Sequence, residues 1–378
     1  MAAANKNKQF MEQALELAKR GFGSVEPNPM VGCVIVRQGC VLGKGWHKEF
    51  GGPHAEINSL EDCRENGHDP AGATMCVTLE PCCHHGKTPP CVDEIIKAKI
   101  AKVVVAMEDP TEKAAGKGVE RLRNAQIKVT VGVCEKHARL LNPAFIRFAR
   151  TARPWVILKW AQTIDGKLAA NAGPTEKEWI SCEQSRKDVH KIRRSCQGIL
   201  AGVDTVIADD PLLTARPARG RKLMRVVLDT NLRIPLACRL LKTVHEAPVL
   251  VVAAEKAVTD NRPKTRQITA AGAEVLTVPV SKSGRCDLDS LLDELGKRNV
   301  QRLLVEGGPT VIKSFLKESL ADELILYIAP KILAGNQMSD ISVMMSDLGR
   351  SLRLHNSSTT IFGSDARIRG FLRTVNEF

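Results

Sequence analysis

The chain has 378 residues, 43% of them hydrophobic and 26% charged, with a formal charge of +13. That suits two or three folded domains at ~150 residues each and excludes a disordered or collagen-like chain. No apolar run approaches the ~18 residues a membrane span needs, and MAAANKNKQF has no apolar stretch of the signal-peptide kind.

In chain order, residues 9–20 place apolar side chains at helical spacing and Gly21 can end that helix. VGCVIVRQG (31–39) and CVLGKGWH (40–47) read as strands joined by a tight turn at Gln38-Gly39. A helix is expected over 54–66, a strand over 73–81, a helix over 91–99 and a strand over 102–108. Residues 117–125 read as helix, 127–133 as strand and 135–149 as helix. This alternation predicts a three-layer α/β arrangement with helices on both faces of a sheet.

Pro154 disfavours helix at the residue before it, so a boundary is expected at residue 150, between domains 1–150 and 151–378. A second series of strands then follows at 155–161, 198–207, 224–229, 248–254, 273–279, 302–308 and 323–330, and 365–375 reads as a partner in an antiparallel edge pair. The stretch 335–347 is polar and reads as a loop. Eight of the twelve cysteines precede residue 150, whereas +9 of the charge follows it. Twelve cysteines are too dilute for a small disulfide scaffold, so reduced, mostly buried thiols in a cytoplasmic chain are expected, with a few bound to metal.

The sharpest pattern is His54-Ala55-Glu56 followed by PCCHHGKTPPC (81–91). One histidine and two thiolates, His54, Cys82 and Cys91, supply three zinc ligands and leave a position for a reactive water. The helix start favours the thiolate at Cys91. Zinc lowers the pKa of bound water to about 7, and Glu56, a carboxylate outside the ligand set, can move protons from that water to a departing amine. H-x-E with P-C-x-x-C is a signature of zinc nucleobase deaminases. Here eight residues, not two, separate the cysteines. Cys83, His84 and His85 are spare donors.

PCCHHGKTPPC, with PNPMVGCVIV (27–36) and GKGWHKEFGGPHAE (43–56), resembles the deaminase half of the bifunctional riboflavin biosynthesis proteins. The resemblance implies a cytidine-deaminase-like three-layer α/β/α fold for the first domain. It also implies zinc on His54, Cys82 and Cys91, Glu56 as proton carrier, and substrate contacts from Asn28, His47 and Lys87. Asn28, between two prolines, offers a donor and an acceptor to a base edge. Lys87 is a point charge suited to phosphate.

In the second half no G-x-G-x-x-G follows a strand, so a Rossmann cofactor site is unsupported. LLVEGGPTVIKSFL (303–316) instead runs strand, Gly-Gly turn, then helix, a geometry able to hold phosphate. ILKWAQTIDGKLA (157–169), RKDVHKIRRSC (186–196), GVDTVIADDPLLTAR (202–216), RVVLDT (225–230) and VEGGPT (305–310) resemble, in order, the dihydrofolate-reductase-like α/β reductase half of the same family. The resemblance implies NADPH contacts from Ala161, Trp179, Thr205, Asp209, Thr230 and the turn Gly308, Pro309, Thr310, Val311, Ile312, Lys313 and Ser314. It implies substrate contacts from Lys159, Lys177, Arg193, Leu213, Arg216 and Glu306. Arg193 and Arg216 can fork a sugar phosphate. Lys177 stands where the family usually has Ser, and Trp160 is bulkier than usual there.

The reading is therefore zinc-dependent hydrolytic deamination of 2,5-diamino-6-(5-phosphoribosylamino)pyrimidin-4-one, then NADPH reduction of its ribosyl chain to ribityl. The partners implied are small phosphorylated pyrimidines, without nucleic acid or membrane, in a homo-oligomer, dimer or tetramer. One rival is a tRNA-type zinc deaminase, against which stands an aromatic content of 4%, leaving few platforms for bases. The other is a non-catalytic basic zinc module, which needs Cys83 or His84 as fourth ligand.

Overall fold

The computed structural model describes residues 2–84, 89–112, 114–169, 179–217, 222–333, 339–349 and 351–377. Lys87 and Lys177 lie outside the described residues. The chain divides into two compact units, Met1–Thr151 and Ala152–Glu377. No described helix is long and apolar enough to cross a membrane.

The first unit runs α1 (Ala2–Ala18), β1 (Gly32–Arg37), β2 (Cys40–Trp46), α2 (Ala55–Glu65), β3 (Thr74–Val77), α3 (Cys91–Lys97), β4 (Lys102–Val105), α4 (Lys117–Asn124), β5 (Lys128–Val131), α5 (Glu135–Leu141) and α6 (Pro143–Thr151). Its five-stranded sheet has the order β2-β1-β3-β4-β5. The β1–β2 hairpin turns at Gln38 and Gly39, both at positive φ. Alternate side chains of the strands feed opposite layers. Cys33, Ile35, Met75, Val77, Val103 and Val105 pack with α2 and α3, while Val34, Val36, Cys76 and Val104 pack with α1. Burial on both faces explains the continuous apolar runs, and each fully buried Val or Ile contributes ~1.5–3 kcal/mol. The helix expected over 135–149 is two helices, because Pro143 lacks the N–H an uninterrupted helix needs.

The second unit runs β6 (Trp155–Thr163), β7 (Lys167–Ala169), α7 (Glu183–Arg194), β8 (Gly198–Gly202), α8 (Val203–Asp209), β9 (Met224–Leu228), α9 (Arg239–Lys242), β10 (Val249–Ala254), α10 (Glu255–Asp260), α11 (Arg262–Ala270), β11 (Glu274–Val278), α12 (Leu288–Lys297), β12 (Arg302–Val305), α13 (Pro309–Lys317), β13 (Glu323–Ala329), β14 (Ser339–Asp340), α14 (Ile341–Met345), β15 (His355–Phe362) and β16 (Asp365–Phe371). Nine strands form one sheet in the order β11-β10-β9-β8-β12-β6-β13-β16-β15. The first seven are parallel, and β16 runs antiparallel to both β13 and β15. Leu291, Leu295, Ile312 and Phe315 of α12 and α13 pack with Val156, Leu158, Leu200 and Val305 of the sheet.

Two expectations change here. The strand expected over 198–207 ends at Gly202, and α8 takes the rest, since a short apolar run does not by itself distinguish strand from helix. β16 is a partner in an antiparallel edge pair, as expected. The edge strand is β15, whose polar sequence HNSSTTIF hides its pairing. Residues 341–345 of the expected loop form α14.

Candidate active sites

In the first unit, glycines seat α2 on β2. A Cβ at Gly45 would stand 2.3 Å from the Ala55 carbonyl oxygen and 2.4 Å from the Ser59 nitrogen. This close approach fixes where α2 begins, with His54 as its N-cap and Glu56 in its first turn. Cys82 follows β3 and Cys91 opens α3. The Cys82 carbonyl accepts from Val92 N–H at 3.2 Å, and its Sγ accepts from Cys91 N–H at 3.3 Å.

His54 Nδ1 lies 3.2 Å from Cys91 Sγ and 3.5 Å from Cys82 Sγ. All three ligand atoms fall within 4.8 Å of one another. Tetrahedral zinc, with bonds of ~2.0–2.3 Å, sets neighbouring donors at roughly this spacing, so the donor set fits zinc. Among the described residues neither Cys83 nor His84 joins the group. Cys83 packs against the core and its carbonyl accepts from Arg121. Three donors and an open position match a catalytic, not a closed structural, site.

Glu56 is buried at this cluster, and burial raises its carboxyl to about 7 against the opposing pull of His54. Hydrogen bonds from Cys91 and His54 hold the Cys82 thiol down to about 4, while Cys91, donating to Cys82, is pushed up. Helix-start reasoning favours the thiolate at Cys91. In the structure Cys82 Sγ accepts the backbone N–H of Cys91, and as zinc ligands both sulfurs would be thiolates.

Asn28 and His47 are joined. His47 Nδ1 is 3.0 Å from the Pro53 carbonyl, which can only accept, so Nδ1 carries the proton. Nε2 then accepts from Asn28 Nδ2 at 3.1 Å. Burial lowers the His47 pKa and keeps the ring neutral. Among the described residues no donor meets the Asn28 Oδ1 acceptor. Asn142 pins the same loop, accepting from Met30 N–H and donating to its carbonyl, each at 2.8 Å. Asn142, 112 residues from Met30, carries no local mark of this role.

In the second unit, Arg193 of α7 grips Glu306 at the end of β12 through Nε (2.8 Å) and Nη2 (2.9 Å). Lys159 Nζ of β6 is 3.8 Å from the same carboxylate. Burial would raise the Glu306 pKa, but Arg193 and Lys159 hold it at about 2. Burial lowers Lys159 despite Glu306. The third arm of Arg193 donates to the Thr214 carbonyl at 2.9 Å, tying down the loop that carries Leu213 (φ 51°) and Arg216. With its fork occupied, Arg193 cannot also fork a phosphate. Arg216 is exposed, and its backbone N–H donates to His190 Nδ1 at 3.2 Å.

Tyr327, the chain's one tyrosine, donates to Asp188 at 2.6 Å, and Lys159 Nζ sits 5.8 Å from its ring centre. Arg367 also pairs with Asp188 at 2.6 Å. Sequence reading missed this support beneath Lys159, because the strand register that sets Tyr327 beside β6 is visible only in the fold.

Thr230, Thr310, Val311 and Ser314 line a groove of about 340 Å³. A Cβ at Gly202 would stand 2.9 Å from Val311, and one at Gly307 would stand 2.7 Å from it, so these glycines let α13 begin tight against β8. A cradle of this kind fits the phosphates of a dinucleotide. Gly308 is the N-cap of α13, Pro309 its first residue, and Thr205 Oγ1 is 3.4 Å from where a Cβ on Gly308 would be. Ile312 faces the core and Lys313 pairs with Asp347, and neither lines the groove. Ala161, Trp179, Thr205 and Asp209 do not line it. Trp179 is 63% exposed, with the Arg186 guanidinium 4.9 Å over its ring.

Two family models match the chain. Residues 4–107 match the cytidine and deoxycytidylate deaminase zinc-binding region, and residues 154–366 match the RibD C-terminal domain. The riboflavin biosynthesis protein RibD of Aquifex aeolicus is 41% identical over 361 residues, 95% of this chain and 96% of that protein. The Escherichia coli protein of that name is 39% identical, over 86% of this chain and 88% of its own. Among solved structures, RibD of Acinetobacter baumannii superposes with a TM-score of 0.81 at 36% identity, covering 97% of this chain and 99% of that one. A diaminohydroxyphosphoribosylaminopyrimidine deaminase/5-amino-6-(5-phosphoribosylamino)uracil reductase of Thermotoga maritima gives 0.78 at 36% identity, with the same coverage.

Proposed function

The chain belongs to the RibD family of riboflavin biosynthesis proteins, a bifunctional deaminase and reductase, and we propose which of its residues carry each activity. The substrates are those in the Thermotoga relative's name: the phosphoribosylaminopyrimidine is deaminated first, and the resulting uracil is reduced. The observation that carries the residue assignment is the three-donor cluster His54, Cys82 and Cys91 with buried Glu56 beside it.

His54, Cys82 and Cys91 hold zinc, which when bound supplies Lewis acidity that brings a water's pKa near 7. Glu56, poised between its charged and neutral forms, takes a proton from water and returns it to the amine that leaves as ammonia. Asn28, its donor engaged by His47, presents Oδ1 to an N–H of the pyrimidine edge, and His47 and Lys87 complete the contacts to ribose and phosphate.

In the reductase half NADPH supplies the hydride. The α13 start and the adjoining groove hold the cofactor, with Ala161, Trp179, Thr205, Asp209 and Thr230 as further contacts. Lys159 and Glu306 orient the sugar hydroxyls, Arg193 positions Glu306, and Leu213, Arg216 and Lys177 meet the rest of the substrate.

The proposal includes a cytoplasmic setting, for which the twelve free cysteines argue. It also includes a homo-oligomer of two or four 41.3 kDa chains, which light scattering would measure. The test of the function is sequential. The purified chain should release ammonia from the phosphoribosylaminopyrimidine, and only then oxidise NADPH. Chelating zinc should stop the first step and spare the second when the deaminated substrate is supplied. A chain that does neither reaction contradicts the reading.

A further inference from the structure

The helix α4 begins without a cap of its own. Its N-cap is Gly116, at φ 74°, and glycine has no side chain to accept from the first helical N–H groups. Glu80, buried three residues after β3, supplies the missing acceptor. Its Oε2 accepts from Asp109 N–H and Gly116 N–H, and its Oε1 accepts from Val119 N–H, each at 3.0 Å. An anion there also meets the positive end of the helix. The Glu80 N–H in turn donates to the Met107 carbonyl at 3.0 Å. Glu80 stands two residues before Cys82.

The rest of α4 grips the same segment. A Cβ at Gly118 would stand 2.2 Å from the Pro81 carbonyl oxygen, so the helix backbone lies directly on the residue before Cys82. Further along the helix, Arg121 Nη1 donates to the Cys83 carbonyl at 3.3 Å, and Arg121 Nη2 pairs with Asp93 at 2.5 Å. Asp93 lies on α3, two residues after Cys91. One short helix thus touches the chain on both sides of Cys82 and also the helix that carries Cys91.

The cysteine spacing creates a need for such a brace. Zinc sites commonly take two thiolates from positions about two to four residues apart, where the local turn sets their separation. Here eight residues lie between Cys82 and Cys91. A longer loop closes at greater entropic cost, and two thiolates without a metal between them repel. We propose that Glu80 and Arg121 are positioning residues of the zinc site, which through α4 hold Cys82 and Cys91 at ligand spacing before the metal arrives. This rests on the zinc reading above. Neither residue belongs to the donor cluster. Hydrogen bonds that orient metal ligands from outside are worth about ten- to a hundredfold in metal affinity.

The test is made on the full chain in the parent, Arg121→Ala, Glu80→Gln and a control, Arg123→Ala. Zinc affinity is measured by competition with a chromophoric chelator, and ligand geometry by the visible spectrum of the cobalt(II)-substituted chain. Arg121 is exposed, so its alanine variant should fold, and Arg123 is exposed on the same helix. Glutamine at position 80 keeps the size of the side chain but turns an NH2 group toward a backbone N–H. Well below the melting temperature, the zinc Kd should rise about ten- to a hundredfold in Arg121→Ala and in Glu80→Gln, and the cobalt bands should shift. Arg121→Lys, which keeps one donor, should recover part of the affinity. Arg123→Ala should bind zinc as the parent does, and reductase turnover should stay at the parent level in every variant. Parent zinc affinity in both Arg121→Ala and Glu80→Gln, even with earlier melting, would mark a purely structural brace and overturns this proposal alone. Should Glu80→Gln not fold, Arg121→Ala decides. A parent chain that takes up neither zinc nor cobalt overturns the zinc reading together with it.

Discussion

Arg193 meets Glu306 edge to edge, two nitrogens on two oxygens at 2.8 and 2.9 Å, and thereby joins α7 to the end of β12. Lysine cannot reproduce the planar fork. Arg193→Lys should therefore loosen Glu306 and lower reductase kcat/KM by about tenfold or more, with ammonia release unchanged. Arg193→Ala leaves a buried carboxylate facing Lys159 alone and should destabilise the second unit by ~3–5 kcal/mol in urea melts. Equal loss of both activities in Arg193→Lys would contradict this assignment.

The same carboxylate gives a pH dependence. Its folded pKa, about 2, lies below the ordinary 4.5. A depressed acid stabilises the fold above its unfolded pKa and loses that contribution as pH falls through the folded one. The window is therefore pH 4.5 down to 2, and the contribution is about 3 kcal/mol. Glu306→Gln, which cannot titrate, should be less stable than the parent at pH 6, with the gap closing as pH falls through that window. A gap that stays constant would contradict it.

The His47–Asn28 hydrogen bond makes a directional prediction. Asn28→Asp removes the donor that His47 Nε2 accepts and sets an anion where the amide stood. Deaminase KM should rise by about tenfold or more, with zinc content and reductase turnover as in the parent. A parent-like KM would show that Asn28 does not touch the pyrimidine.

Gly45→Ala tests how α2 is placed. The added methyl carbon would lie 2.3 Å from the Ala55 carbonyl oxygen, which sits in the helix backbone and cannot rotate away. Overpacking of this kind costs ~1–3 kcal/mol. The variant should melt earlier in its first unit and bind zinc more weakly, because His54 and Glu56 ride on α2. Unchanged zinc affinity would mean the helix start is held by something other than this contact.

Much of this was legible in sequence where the signal is local. Gln38-Gly39 marks the β1–β2 turn, and His54, Glu56, Cys82 and Cys91 stand out by spacing alone. What escaped depends on distant partners. Asn142 pins Met30, Tyr327 and Asp188 support Lys159, and Arg193 turns its fork to Glu306 and away from phosphate. None of these pairings leaves a mark in either segment. The helix α8 was hidden because VDTVI is as apolar as the strand before it, and β15 because an exposed edge strand need not alternate.

The central claim, that Glu56 carries the proton at a three-donor zinc site, is tested most directly by Glu56→Gln. Zinc content and ammonia release from the phosphoribosylaminopyrimidine are measured on the same sample. The account predicts about one zinc per chain retained, ammonia release lowered by ~10²–10⁴, and NADPH oxidation with the deaminated substrate as in the parent. Ammonia release at the parent rate with zinc retained would contradict it.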